Sequence, residues 1–145
     1  MQSNKTDTAS CSVIKVRGLH KNFGPREVLR GINLDVRAGD ILSVMGPSGS
    51  GKSTLLYCMA GILAADKGEV FFNGKNLAHY SANSLIALRK TSFGFIFQFG
   101  ELISELPVRD NIALPLLLRG VRKKQAYKTA DEWASLVGVQ NVISA

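Results

Sequence analysis

The chain has no apolar stretch long enough to cross a bilayer as a helix. Its longest run, residues 112–118, is broken by Pro115, whereas a span needs about 20 apolar residues. Cysteine is nearly absent, with Cys11 and Cys58 the only two in 145 residues; this argues against a disulfide framework or a cysteine metal cluster and leaves a reducing compartment as the default. Acidic residues are the minority, 11 against 18 Lys and Arg, for a net charge of +7. That balance suits nucleic acid, nucleotide phosphates or an anionic leaflet, and the sign alone does not choose among them. Residues 1–12 are polar and lack an apolar h-region, so they are read as a disordered leader and not as a secretory signal. Internal repeats and low-complexity segments are missing too. What is present is a globular balance, 46% hydrophobic with 20% charged residues, in a chain of about one domain.

Along the chain, residues 13–16 alternate weakly, and Val28, Ile32, Leu34 and Val36 fall at even spacing, which predicts an antiparallel strand pair joined through Gly24-Pro25. Residues 41–45 form a short, almost wholly apolar run before a glycine-rich segment, the pattern of a strand buried on both faces of a parallel sheet. A helix is predicted over 54–60, stopped by Gly61. Residues 69–72 read as a strand entering a tight turn at Asn73-Gly74, a pair that tolerates the positive φ of hairpin turns. Another helix is expected over 81–90, capped by Ser81 or Ser84 and ending in Arg89-Lys90. Residues 93–97 read as a second buried strand, and 110–118 and 125–137 as helices linked by Gly120 and ended by Gly138. The one local concentration of charge, Arg119, Arg122, Lys123, Lys124 and Lys128, reads as a solvated helix face.

The decisive residues are Gly46-Pro47-Ser48-Gly49-Ser50-Gly51-Lys52-Ser53, a full match to G-x-x-x-x-G-K-[ST] between a predicted strand and a predicted helix. A polyphosphate must exchange water for many short-range donors, and glycines let the backbone supply them without bulky side chains. Gly46, Gly49 and Gly51 allow successive N–H groups to turn inward, and the following helix adds its positive dipole end. Lys52 supplies a mobile charge for the β- and γ-phosphates, the Ser53 hydroxyl one position around Mg²⁺, and Thr54 a further phosphate contact. The bland alternative is a glycine-rich turn that binds nothing.

With these residues in place, residues 13–145 resemble the ATP-binding subunit of ATP-binding cassette transporters, and four further segments agree in order. Leu19-His20-Lys21-Asn22-Phe23-Gly24 resembles the family's opening strand, which implies that Phe23 stacks on adenine; an ordinary core Phe is the competing reading. Residues 28–34 with Gly39-Asp40-Ile41 are similar to the antiparallel lead-in, and residues 68–74 to the hairpin that returns from the phosphate-loop helix. Phe93-Gly94-Phe95-Ile96-Phe97-Gln98-Phe99 resembles the family's Q-loop, which implies that the Gln98 carboxamide approaches Mg²⁺ or the attacking water. The resemblance thus implies an α/β P-loop NTPase of the cassette type, with an antiparallel β lead-in, a truncated parallel core sheet and the start of a helical subdomain. Its division would be 13–98 for lead-in and core and 99–145 for the Q-loop and helical part. Lys52 and Gln98 would be the catalytic residues, Gly46 to Thr54 and Phe23 the ATP contacts, and Ser53 and Gln98 the Mg²⁺ ligands. Implied partners are transmembrane permease subunits and a second ATP-binding subunit arranged head to tail, at the cytoplasmic face of a cell membrane, with no nucleic acid. Residues 104–112 are similar in wording to the subgroup serving lipoprotein release, macrolide-type efflux and a cell-division complex.

The family pattern continues with an LSGGQ-type signature, a Walker B strand ending in carboxylates and a switch histidine, and these residues contain none of them; His20 and His79 lie upstream of the expected place. The chain is accordingly expected to bind ATP without turning it over, because charge stabilisation and water positioning are missing. Val44, Ile96 and their neighbours are expected to be unpaired apolar edges. A soluble cassette ATPase of DNA repair or translation and a non-catalytic truncated product are the alternatives. A small-molecule kinase fits the lead-in and the Gln98 segment poorly.

Overall fold

A computed structural model describes residues 12–97 and 100–143. The chain divides into two compact units, Met1–Leu85 and Ile86–Ala145.

The first unit is built on a four-stranded antiparallel sheet in the order β2-β1-β3-β4. Strands β1 (Ser12–Phe23) and β2 (Arg26–Arg37) form a long hairpin, with Val16 opposite Leu34 and Phe23 opposite Arg26. The predicted strand pair is therefore present, and it begins at Ser12, one residue inside the stretch read as a leader; Ser12 hydrogen-bonds the Asp35 carboxylate across the pair. Residues 1–11, with Cys11, lie outside the described residues. Register shifts between Val16 and Leu19 let both side chains reach the same interior, where each is almost fully buried. Strict two-residue alternation would have placed Leu19 on the opposite face. Lys15 instead pairs with Asp35, and the Arg17 guanidinium lies over the Phe71 ring.

Helix α1 (Lys52–Met59) buries Leu55, Cys58 and Met59. It ends at Gly61, whose φ of 63° lets the chain reverse while the Ile62 amide returns to the Tyr57 carbonyl. Strand β3 (Lys67–Phe72) then pairs with β1 on the side away from β2. As predicted, Asn73 and Gly74 both take positive φ, 46° and 76°, and turn β3 into the two-residue β4 (Lys75–Asn76). Val16, Leu19, Leu29, Leu55, Cys58, Met59, Val70, Phe72 and Leu77 supply this unit's buried side chains. A short 3₁₀ turn (Leu77–His79) leads to α2 (Ala82–Ser92), within which the division between units falls. The Ser84 amide donates to Ser81 Oγ at 3.2 Å, the cap expected from the sequence.

Two expected strands are not formed. Residues 41–45 and 93–97 are not strands among the described residues, and the sheet contains no parallel pair. Their apolar composition suits a strand covered on both faces, but a strand exists only where neighbours accept its backbone hydrogen bonds. Ile41, Met45 and Ile96 are accordingly 99%, 89% and 103% exposed. The unpaired apolar edges expected around Val44 and Ile96 are thus what the structure shows, while the strands themselves are corrected to irregular segments.

In the second unit, helices α3 (Val108–Leu118) and α4 (Lys123–Leu136) form an antiparallel hairpin. The direction follows from paired contacts: Arg109 Nε donates to Asp131 Oδ1 at 2.8 Å, the Tyr127 hydroxyl to the Asp110 carboxylate, and Ala113 packs on Ala126 and Ala130. These three alanines are fully buried, and their small side chains let the helices approach closely, with Ile112, Leu116, Leu117 and Val121 filling the flanks. Asn111 clasps the preceding loop, its amide nitrogen donating to the Ile103 and Leu106 carbonyls at 3.0 and 2.9 Å while its oxygen accepts from the Ile103 amide at 2.8 Å. Arg119, Arg122, Lys123, Lys124 and Lys128 are all exposed, with Lys128 beside Glu132 and Lys123 over the Tyr127 ring. That matches the solvated face expected of them.

Candidate functional site

The loop 46–51 runs directly into α1, and its three glycines all hold positive φ, a conformation that favours a residue without a side chain. A Cβ on Gly51 would come within 2.8 Å of Val28 Cγ1 and 3.2 Å of the Val28 carbonyl oxygen, and Gly51 also holds φ at 94°. A Cβ on Gly46 would meet Ser50 Oγ at 2.8 Å. Bare backbone is therefore required where the loop becomes helix, by packing against β2 as well as by φ, whereas at Gly46 the Ser50 hydroxyl can turn aside and the demand comes from its φ of 154°.

Gly51 is the N-cap of α1, and no side chain caps the helix. Its carbonyl accepts the first helical bond, from the Leu55 amide at 2.8 Å. The amides of Lys52, Ser53 and Thr54 consequently have no acceptor within the helix, and the first turn contains no acidic residue to offset the dipole. Lys52 Nζ donates to the carbonyls of Gly46 and Pro47 at 2.9 and 2.8 Å, so the ammonium is held over the loop by its own backbone. The Ser50 amide closes the turn onto the Pro47 carbonyl at 3.3 Å. Ser53 is exposed and Thr54 partly buried. The loop, the lysine and the uncapped amides together form one electropositive patch, suited to a multiply charged anion.

A second element is tied to this patch by a residue the sequence analysis did not single out. Arg26 stands opposite Phe23 at the tip of the first hairpin, and its Nη2 donates to the Gly49 carbonyl at 3.2 Å. The turn carrying Phe23 is thereby fastened to the phosphate-loop backbone. The Phe23 side chain is half-exposed and is not among the buried hydrophobic residues of the described chain.

Behind Phe23, Asp66 engages the last residues of β1. Its Oδ1 accepts from Lys21 Nζ at 2.9 Å and its Oδ2 from the Asn22 amide at 2.6 Å, while the Asp66 amide donates to the His20 carbonyl at 3.0 Å. The Lys21 ammonium, with help from the Asn22 amide, holds the Asp66 carboxyl below the usual carboxylate range. Neither contact has a local signature in the sequence, because the partners are 23 and 45 residues apart. Gln98, the remaining candidate, lies outside the described residues. The apolar cavity of about 360 Å³ lined by Cys58, Ile62, Val70, Leu77 and Leu85 holds no charged group and lies at the opposite end of α1 from the loop.

The ABC transporter family model matches residues 29–144. The chain is 37% identical to the lipoprotein-releasing system ATP-binding protein LolD of Bacteroides thetaiotaomicron over 127 residues, 88% of this chain and 58% of that protein. It is also 37% identical to the methionine import ATP-binding protein MetN of Rhizobium johnstonii over 145 residues, the whole of this chain and 40% of that one. Among solved structures it superposes on the ATP-binding cassette MJ0796, a dimer in a post-hydrolysis state bound to ADP and Pi, with a TM-score of 0.82 and 27% identity over 90% of this chain and 60% of that one. The chain thus spans 40–60% of the length of these relatives. With the phosphate loop, the hairpin tip bound to it and the superposed fold in agreement, the chain belongs to the ABC transporter family.

Proposed function

We propose that these residues are the nucleotide-holding part of an ATP-binding subunit that couples ATP binding and hydrolysis to transport or extraction across a membrane. The observation that carries this reading is the joining of three parts in one unit: Lys52 held over the loop, an uncapped helix start, and a half-exposed aromatic fastened to the same loop through Arg26. The loop amides would receive the phosphates, Lys52 would leave its two carbonyls for the β- and γ-oxygens, and Phe23 would stack on adenine.

Among the described residues no cluster of three His, Cys, Asp or Glu side chains exists to hold a metal. On the phosphate-loop reading Mg²⁺ would be held together with the nucleotide, taking the Ser53 hydroxyl as one ligand and Gln98 as another, and when bound it supplies neutralisation of the β- and γ-oxygens. The exposed Ser53 hydroxyl at the first turn of α1 fits that role. Division of the domain into a 13–98 lead-in and core and a 99–145 helical part belongs to the same reading.

No helix among the described residues is long and apolar enough to cross a membrane. Permease subunits would provide the membrane-spanning path and a second ATP-binding subunit the opposite wall of the site, with the assembly at the inner face of the membrane. The relatives named for transport systems and the dimeric cassette support this reading. The lipoprotein-release subgroup is supported by the wording of residues 104–112 and by the LolD relative, while the MetN relative is named for import.

The test is calorimetric titration of the 145-residue chain with Mg·ATP, followed by displacement with tripolyphosphate. One saturable site, displaced by tripolyphosphate and showing no phosphate release above background, is the expected result. Binding that tripolyphosphate leaves untouched would mean that the phosphate loop is not the site.

A further inference from the structure

Phe23 is a half-exposed aromatic at the last position of β1. Beyond His20 the tip of this hairpin has no pairing with β3, and a stacking platform free to rotate loses affinity to the cost of ordering it on binding. Arg26 secures the far side of the turn to Gly49. On the near side, three hydrogen bonds from one residue secure β1 itself. Asp66 donates its amide to the His20 carbonyl, and its two carboxylate oxygens separately accept the Lys21 ammonium and the Asn22 amide. The Lys21 side chain is only 15% exposed, and its Nζ lies 5.9 Å from the centre of the Phe23 ring. The carboxylate that immobilises Lys21 therefore also places a cation beside the stacking ring. Asp66 itself belongs to the segment between α1 and β3, downstream of the helix that the phosphate loop opens.

We propose that Asp66 is a positioning residue for nucleobase recognition: it clamps the end of β1 so that Phe23 stands at a fixed place beside the phosphate loop. The inference rests on the phosphate-loop reading above and assigns nucleobase affinity to a residue that touches no part of the nucleotide. Phosphate affinity, which comes from the loop amides and Lys52, is independent of it.

Binding of Mg·ATP and of Mg·tripolyphosphate to the full chain separates the two contributions. Stacking on an aromatic contributes about 1–3 kcal/mol per base, roughly a 5- to 150-fold difference in affinity. Asp66→Ala is expected to weaken ATP binding roughly tenfold while tripolyphosphate affinity stays within twofold, and Phe23→Ala to do the same. In the double variant the loss should match that of Phe23→Ala alone, because a clamp with no platform to hold has no further effect. Asp66→Asn keeps an oxygen for the Asn22 amide but gives up the ion pair with Lys21; it should fall between parent and Asp66→Ala, and it decides the matter should the alanine variant fail to fold. Equal loss of ATP and tripolyphosphate binding, additivity with Phe23→Ala, or parent-like ATP affinity in Asp66→Asn would each overturn the proposal. Absence of tripolyphosphate binding in the parent chain would instead remove the phosphate-loop reading, an outcome readily told apart.

Discussion

Lys52→Ala should weaken Mg·ATP binding about a hundredfold and leave the fold intact. Hydrogen bonds to charged groups contribute about 1.5–3 kcal/mol each, and the ammonium is placed to make at least one with the terminal phosphates. Its present acceptors, the carbonyls of Gly46 and Pro47, are exposed to water, so losing the lysine leaves no buried group unsatisfied. The α1 amides and the dipole at Gly51 remain, so residual binding is expected and not complete loss. Isothermal titration with circular dichroism on the same samples checks both halves. Unchanged affinity would remove Lys52 from the site, and lost helicity would show a structural role that its contacts do not indicate.

The second large effect is self-association. Ile41 and Met45 in the first unit and Ile96 in the second are nearly fully exposed, although the sequence around each is that of a buried strand. Covering one such side chain contributes about 1.5–3 kcal/mol, so the three together approach the whole stability of a typical small domain, about 5–15 kcal/mol. Unpaired backbone groups beside these side chains add the template that edge strands offer to other chains. The 145-residue chain alone is therefore expected to be marginally stable and to sediment as concentration-dependent oligomers. Ile41→Asp combined with Ile96→Asp should shift it towards monomer. A soluble monomer with a sharp, reversible urea transition would contradict this account.

Much of the site was legible because its chemistry is contiguous. Eight consecutive residues, Gly46 to Ser53, carry the glycines, the lysine and the hydroxyl, and the structure shows Gly51 capping a helix as that order requires. Local stereochemistry was equally readable: Asn73-Gly74 makes its turn, Ser81 caps α2, and Gly61 reverses the chain after α1. Contacts between distant residues were not readable. The bonds Arg26 to Gly49 and Lys21 to Asp66 join ordinary polar residues whose proximity is created only when β1 and β2 fold against the phosphate-loop unit. Asn111 is a similar case, since nothing in its neighbourhood announces that its amide clasps residues 103–107.

The misread segments have a different cause. Residues 41–45 and 93–97 have the composition of central strands, and composition reports the environment a segment is suited to, not whether that environment is present. Neither segment joins the sheet, and the backbone of both is irregular. Exposed Phe95, Ile96 and Phe97 still bear the composition that prompted the strand reading, and Phe95 and Phe97 stack on each other with ring centres 5.8 Å apart.

The central claim is that backbone amides at the start of α1, with the Lys52 ammonium, form the polyphosphate site. Its most direct test is the amide spectrum of isotope-labelled chain during titration with Mg·tripolyphosphate, a ligand with no base to recruit Phe23. The account predicts saturable shifts concentrated on the amides of Gly46 and Ser48 to Thr54. Shifts confined to the exposed lysines and arginines near residues 119–128, with the loop amides unmoved, would contradict it.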